Sequence, residues 1–130
     1  MPLFPVRADA ESAAFLEGTA RGEFLIARDT TTGAYLDSKF DVDADPDRYE
    51  RVPAAGTGTV VSWSIVHGKS AEGPVRSVVA IVELDEGPWW WTELVGVDPD
   101  ADLLGVRVRA EFVATGPGEH DATIPQFRPE

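Results

Sequence analysis

The 130-residue sequence predicts a mainly β protein, a five-stranded Greek-key barrel preceded by a helix and a hairpin. Three observations carry this. Runs of β-branched and aromatic residues recur from residue 57 onward, separated by Gly, Pro and Asp clusters. Several of the runs alternate with period two. Only one segment, at the N-terminal end, has a helical reading.

That segment is DAESAAFLEGTARG, residues 9–22, with Asp9 as N-cap, Glu11 near the positive helix end and Gly22 as the stop. Phe15, Leu16 and Ala20 supply a modest apolar face, and Gly18 weakens the interior. So short a helix is marginal by itself and must dock, on the barrel or on a partner. EFLIARDTTTGAYLDSKF then predicts a hairpin with Gly33 in its turn. Residues 41–56 read as a connector ending at Pro53 and Gly56. Its aspartates at 41, 43, 45 and 47 suggest a calcium loop, but the glycine and distal glutamate of an EF-hand are missing.

Five strands follow. In TVVSWSIVH, period two puts Val61, Trp63, Ile65 and His67 on one face and Val60, Ser62, Ser64 and Val66 on the other. HGKSAEGPVR reads as a loop. SVVAIVEL is apolar on both faces, the pattern of a strand covered on both sides. DEGP is a tight turn, and WWWTELVG is a strand ended by Gly96. VRVRAEFV points Val106, Val108, Ala110 and Phe112 inward, with Arg107, Arg109 and Glu111 outward. TGPGEHDA is a loop, and TIPQF is a last strand at an edge, because Pro125 lacks a ladder donor.

Eleven basic against 23 acidic residues give a net charge of -12. Such a surface repels nucleic-acid backbones and anionic lipid over a Debye length of about 8 Å, which argues against nucleic-acid binding and membrane binding. There are no cysteines, hence no disulfide, thiolate metal site or cysteine nucleophile. MPLFPVRADAE lacks the apolar run of a secretory leader, and no stretch is long enough to span a bilayer, so a soluble cytoplasmic protein is expected.

Four blocks in order carry a family likeness: G-x-V-x-S-aromatic-[ST]-x-V-H at residues 58–67, VELDEG at 82–87, LVGVDP at 94–99 and PQFRP at 125–129. Together they resemble the OB-fold acyl-CoA-associated proteins known as domain of unknown function 35. The resemblance implies a helical arm over 1–22, a ribbon-like segment and connector over 23–55, and an OB barrel over 56–130. Family members carry a four-cysteine zinc ribbon. Here the matching positions hold Asp29, Thr32, Asp41 and Ala44, so no zinc and no other cofactor is expected, and the ribbon is expected to hold by Phe24, Leu25, Ile26, Tyr35, Leu36 and Phe40. The resemblance further implies a non-catalytic accessory subunit of a thiolase-like, aldolase-like or MaoC-like hydratase enzyme, in lipid or steroid side-chain metabolism. A free-standing acyl-CoA-binding protein is the alternative.

No catalytic residue is assigned. His67, at a strand end, is the best single polar candidate, as a general base or a partner contact; the competing reading is a structural histidine. His120 is read as solvated. Consecutive strand residues face alternately, so at least one of Trp89, Trp90 and Trp91 must leave the barrel core, either as an interface anchor or, in the competing reading, buried beneath the N-terminal segment. Trp63 is read as core, at a mouth that could frame an acyl chain. Arg107, Arg109 and Arg128 could meet CoA phosphates or an acidic partner patch, with surface ion pairing as the default.

Overall fold

A computed structural model describes residues 12–118 and 121–130. Helix α1 (Ala13–Ala20) is followed by β1 (Leu25–Asp29), β2 (Tyr35–Leu36), a 3-10 turn (Val42–Ala44) and β3 (Tyr49–Pro53). The remaining strands are β4 (Thr57–Ser70), β5 (Gly73–Leu84), β6 (Trp89–Leu94), β7 (Arg107–Ala114) and β8 (Thr123–Pro129). Strands β4 to β8 close a barrel in the order β4-β5-β6-β8-β7, and β1 to β3 form a small sheet in the order β2-β1-β3. This is the five-stranded OB architecture that the sequence predicts.

The helix is shorter than expected. Ser12 stands at its N-cap position, and Asp9 and Glu11 lie outside the described residues. It ends where expected: Gly22 has φ of 79°, and the Arg21, Gly22 and Glu23 amides donate back to Gly18 and Thr19 carbonyls. Its buried residues are Gly18 and Thr19, whereas Ala20 is exposed. Gly18 has a packing reason, since a Cβ there would lie 2.7 Å from Leu25 Cδ1. The Thr19 hydroxyl donates to the Thr123 carbonyl at 2.6 Å, tying the helix to β8.

The expected hairpin forms around Gly33, but β2 is only two residues long. The main partner of β1 is β3, paired from Leu25↔Pro53 to Asp29↔Tyr49, within the segment read as a connector. Tyr49 and Val52 supply the β-forming, partly buried positions there, and the aspartates before them mask the signal.

One core serves all parts. Phe24 and Ile26 cluster with Val60, Val78, Val82, Leu94, Val108 and Phe127 of the barrel. Phe24 packs edge-on against Phe15 of the helix at 5.4 Å, Trp90 of β6 at 5.0 Å and Phe127 of β8 at 6.1 Å.

Three strand expectations change. A bulge between Val60 and Ser62 switches the inward parity of β4, so Val60 is buried to 1% while Trp63 and Ile65 also face in. HGKSAEGPVR is no loop: β4 and β5 stay paired through Ser70↔Gly73, giving a two-stranded arm that runs beyond the residues paired with β6 and β7. Strand β8 is an edge only at its start, since it lies between β7 and β6 but meets β6 at Leu94↔Phe127 alone. Pro125 sits ahead of that contact, where no ladder donor is needed.

Gly58 marks the tightest backbone approach, because a Cβ would stand 2.5 Å from the Glu83 carbonyl oxygen. Backbone cannot yield as a side-chain tip can, so Gly58→Ala should destabilise the barrel by about 2–3 kcal/mol in chemical denaturation.

The second prediction concerns acid. The Arg48 guanidinium, then the Thr31 and Thr32 amides, hold the buried Asp29 carboxyl at about 2, below its ordinary 3.8. The Arg107 guanidinium and the Thr57 hydroxyl hold Asp85 at about 2 likewise. Both folded-state values are depressed, so their contribution is complete above about pH 4 and is lost as pH falls toward 2. Denaturant midpoints should drop across that window, and Asp29→Asn should lower the neutral-pH midpoint and flatten the drop.

Candidate functional site

Alternation in the central strands fixes a surface. On β5, Val78, Ala80, Val82 and Leu84 are buried, which forces Val75, Ser77, Val79, Ile81 and Glu83 outward. The ladders align Ser62, Ile81 and Trp91 in one row and Ser64, Val79 and Glu93 in the next. Val66 and Val75 continue the same face along the arm. Among the described residues seven large hydrophobics are exposed, and five share this face: Val66, Val75, Val79, Trp89 and Trp91. Trp91 is 65% exposed and Trp89 50%. Small Ser62 and Ser64 leave an open groove of about 520 Å3, with Val79 and Ile81 on its floor and Trp91 at its side. A contiguous apolar surface of this kind is a candidate docking face.

The tryptophan run divides as period two requires. Trp90 turns inward and stacks on Phe15 at 5.1 Å, so Trp89 and Trp91 turn outward. The Trp90 Nε1 is buried with no acceptor among the described residues. Trp63 faces inward, half-buried against the core. The valine and isoleucine part of the face was missed from sequence. Its signal is the two-faced apolar pattern of SVVAIVEL, read as a strand covered on both sides; among the described residues nothing covers its outer side.

His67 does not end a strand. It sits within the arm, exposed, opposite Arg76, on the face of Trp63 and Ile65 rather than of Val66 and Trp91. No carboxylate is hydrogen-bonded to it among the described residues, so nothing there orients it as a base. His120 lies outside the described residues. The arginines lie on β7 and β8, apart from the apolar face. Arg107 forms a two-pronged pair with Asp85 at 2.6 and 2.9 Å and reaches Glu130 at 3.4 Å. Arg128 pairs with Glu111 at 3.2 Å, where the Gln126 amide and then Arg128 lower the Glu111 pKa. Arg109 has no ion-pair partner among the described residues.

The ribbon positions do not fit zinc. Thr32 and Ala44 offer no ligand suited to it, and the Asp29 carboxylate is already engaged. Asp29 Oδ1 accepts from the Thr31 amide at 2.9 Å, and Arg48 grips the carboxylate with Nε at 3.3 Å and a second nitrogen at 2.9 Å. The Arg48 guanidinium also lies 5.3 Å from the Tyr49 ring centre, and Tyr49 packs on Phe40. An ion pair joined to an aromatic pair thus stands at the turn end of the small sheet; of the apolar residues expected to hold the segment, Phe24 and Ile26 are buried, whereas Tyr35 is exposed.

Comparison with known proteins adds the family. The ChsH2 C-terminal OB-fold domain model matches residues 51–113. A probable enoyl-CoA hydratase alpha subunit of Thermomonospora curvata is 39% identical over 82 residues, 62% of this chain and 25% of that protein. The 3-oxo-4,17-pregnadiene-20-carboxyl-CoA hydratase alpha subunit of Mycobacterium tuberculosis is 40% identical over 48% of this chain and 20% of its own length. A DUF35 domain-containing scaffold protein of Methanocaldococcus jannaschii is 33% identical over 49% of this chain and 47% of its own. The chain therefore spans less than half the length of these curated relatives. Among solved structures, the Ltp2-ChsH2(DUF35) aldolase superposes with a TM-score of 0.74 at 28% identity, covering 94% of this chain and 96% of that one. Barrel order, ordered motifs and relatives agree: the chain resembles the DUF35 OB-fold family.

Proposed function

We propose that the chain is a non-catalytic accessory subunit that docks on an acyl-CoA enzyme of aldolase, thiolase or hydratase type and supports its acyl-CoA site. The observation that carries this is the single apolar face on β4, β5 and β6, with Trp91 and Trp89 as anchors. Interfaces concentrate their energy in a few such aromatic residues. The relatives' names support the reading, being hydratase alpha subunits, a scaffold protein and one part of an aldolase complex. Residues 1–22, 23–55 and 56–130 act as one docking unit in this account, because Phe15, Phe24 and Trp90 join the described parts of all three.

No helix among the described residues is long and apolar enough to cross a membrane. The compartment we propose is the cytoplasm, in keeping with a cysteine-free chain.

Affinity purification of the tagged chain from its native lysate should recover one acyl-CoA enzyme in stoichiometric amount. Recovery of the chain alone would defeat the proposal and favour a free-standing ligand-binding protein. Trp91→Ala should weaken the complex about 30-fold, the loss of about 2 kcal/mol that a central anchor gives, in titration against the recovered partner. His67→Ala should leave turnover of the assembled complex within about twofold. A loss of turnover with assembly intact would instead make His67 part of the catalytic machinery.

A further inference from the structure

The β4–β5 arm has a second feature, distinct from its apolar face. Strand β4 pairs with β7 only over residues 57–59, and one more pair of backbone bonds ties Val60 to Gly105 and Val106. Over residues 62–70 the edge of β4 away from β5 meets no strand among the described residues. An open edge presents unpaired N–H and C=O groups at every second residue, here along about 30 Å. Proteins usually blunt such an edge with proline, bulges or several charges. Residues 62–70 contain no proline and one formally charged side chain, Lys69, and the bulge lies before them.

Charge singles out the same segment. Of the 23 carboxylates in the sequence none falls in residues 51–71, and residues 51–82 carry only Glu72. The arm bears Lys69 and Arg76 instead; Arg76 is held by Asp100 at 2.8 Å, while Lys69 has no ion-pair partner among the described residues.

We infer that an extended, carboxylate-bearing segment of the catalytic partner adds to β4 as a further strand along residues 62–70. This rests on the accessory-subunit reading and specifies how the partner is held. Main-chain bonds to the open edge supply affinity, and acidic side chains near Lys69 supply register. The added strand lies beside Ser62, Ser64 and Val66, so it widens the apolar face. A second copy of this chain is the poorer occupant, since it would bring together two bodies of net charge -12 and supply no carboxylate from its own residues 51–71 to Lys69.

The test is hydrogen–deuterium exchange on the full chain, free and in its purified complex, with affinity measured for Lys69→Glu. Exchange over residues 61–70 should slow at least about tenfold on assembly, and Lys69→Glu should weaken binding about tenfold at low salt and less at high salt. A stoichiometric complex with unchanged exchange over 61–70 overturns the inference and leaves the accessory reading standing. Absence of any stoichiometric enzyme partner overturns both. Protection with no charge effect overturns the acidic character of the segment. A concentration-dependent dimer of the isolated chain, with the same residues protected, overturns it in favour of a second copy.

Discussion

Phe24 is the contact on which the other parts depend. Its ring, 2% exposed, touches Phe15 of the helix, Trp90 of β6 and Phe127 of β8 at once. Removing it from water is worth roughly 1.5–3 kcal/mol, and it gives a short helix and a short sheet a surface to pack on. It also acts at a distance along the strand. Because Trp90 is drawn in to meet Phe24 and Phe15, the pleat sends Trp89 and Trp91 out, so the packing that closes the core also creates the exposed face.

Electrostatics in this acidic chain is a matter of local pairing. The arginines of β7 and β8 are used in part to hold neighbouring carboxylates: Arg107 bridges Asp85 and Glu130, and Arg128 meets Glu111. Exposed pairs of this kind add little individually. The pair between Arg48 and the buried Asp29 differs, because the carboxylate also accepts backbone amides and closes the turn of the small sheet. In that way the ribbon-like segment keeps its turn without thiolates. The relation is local, between a turn acceptor and a cation 19 residues away, and neither residue signals it alone in the sequence.

Much of the fold was legible because the barrel strands are short, alternating and punctuated by turn formers. VRVRAEFV and the tryptophan run gave their inward and outward sides directly. Errors arose where a local pattern had two tertiary solutions. SVVAIVEL is equally consistent with a covered and an open outer face, and only the absence of a covering layer over Val79 and Ile81 among the described residues separates them. HGKSAEGPVR contains glycines and a proline that favour turns, yet ladder pairing of His67, Gly68 and Lys69 with Arg76, Val75 and Pro74 keeps it extended. Tyr49 to Pro53 was hidden behind a run of aspartates until β1 supplied its partner.

The sequence by itself determined the barrel, the acidic surface, the lack of thiolate ligands and the family likeness, because these follow from residue periods, charges and ordered motifs along the chain. Tertiary structure decided which apolar side chains stay in water, that His67 lies within an arm and not at a strand end, and that over residues 62–70 the outer edge of β4 meets no strand among the described residues. Those properties depend on which strands meet and where their pairing stops, and pairing between residues dozens of positions apart is not written in either strand alone.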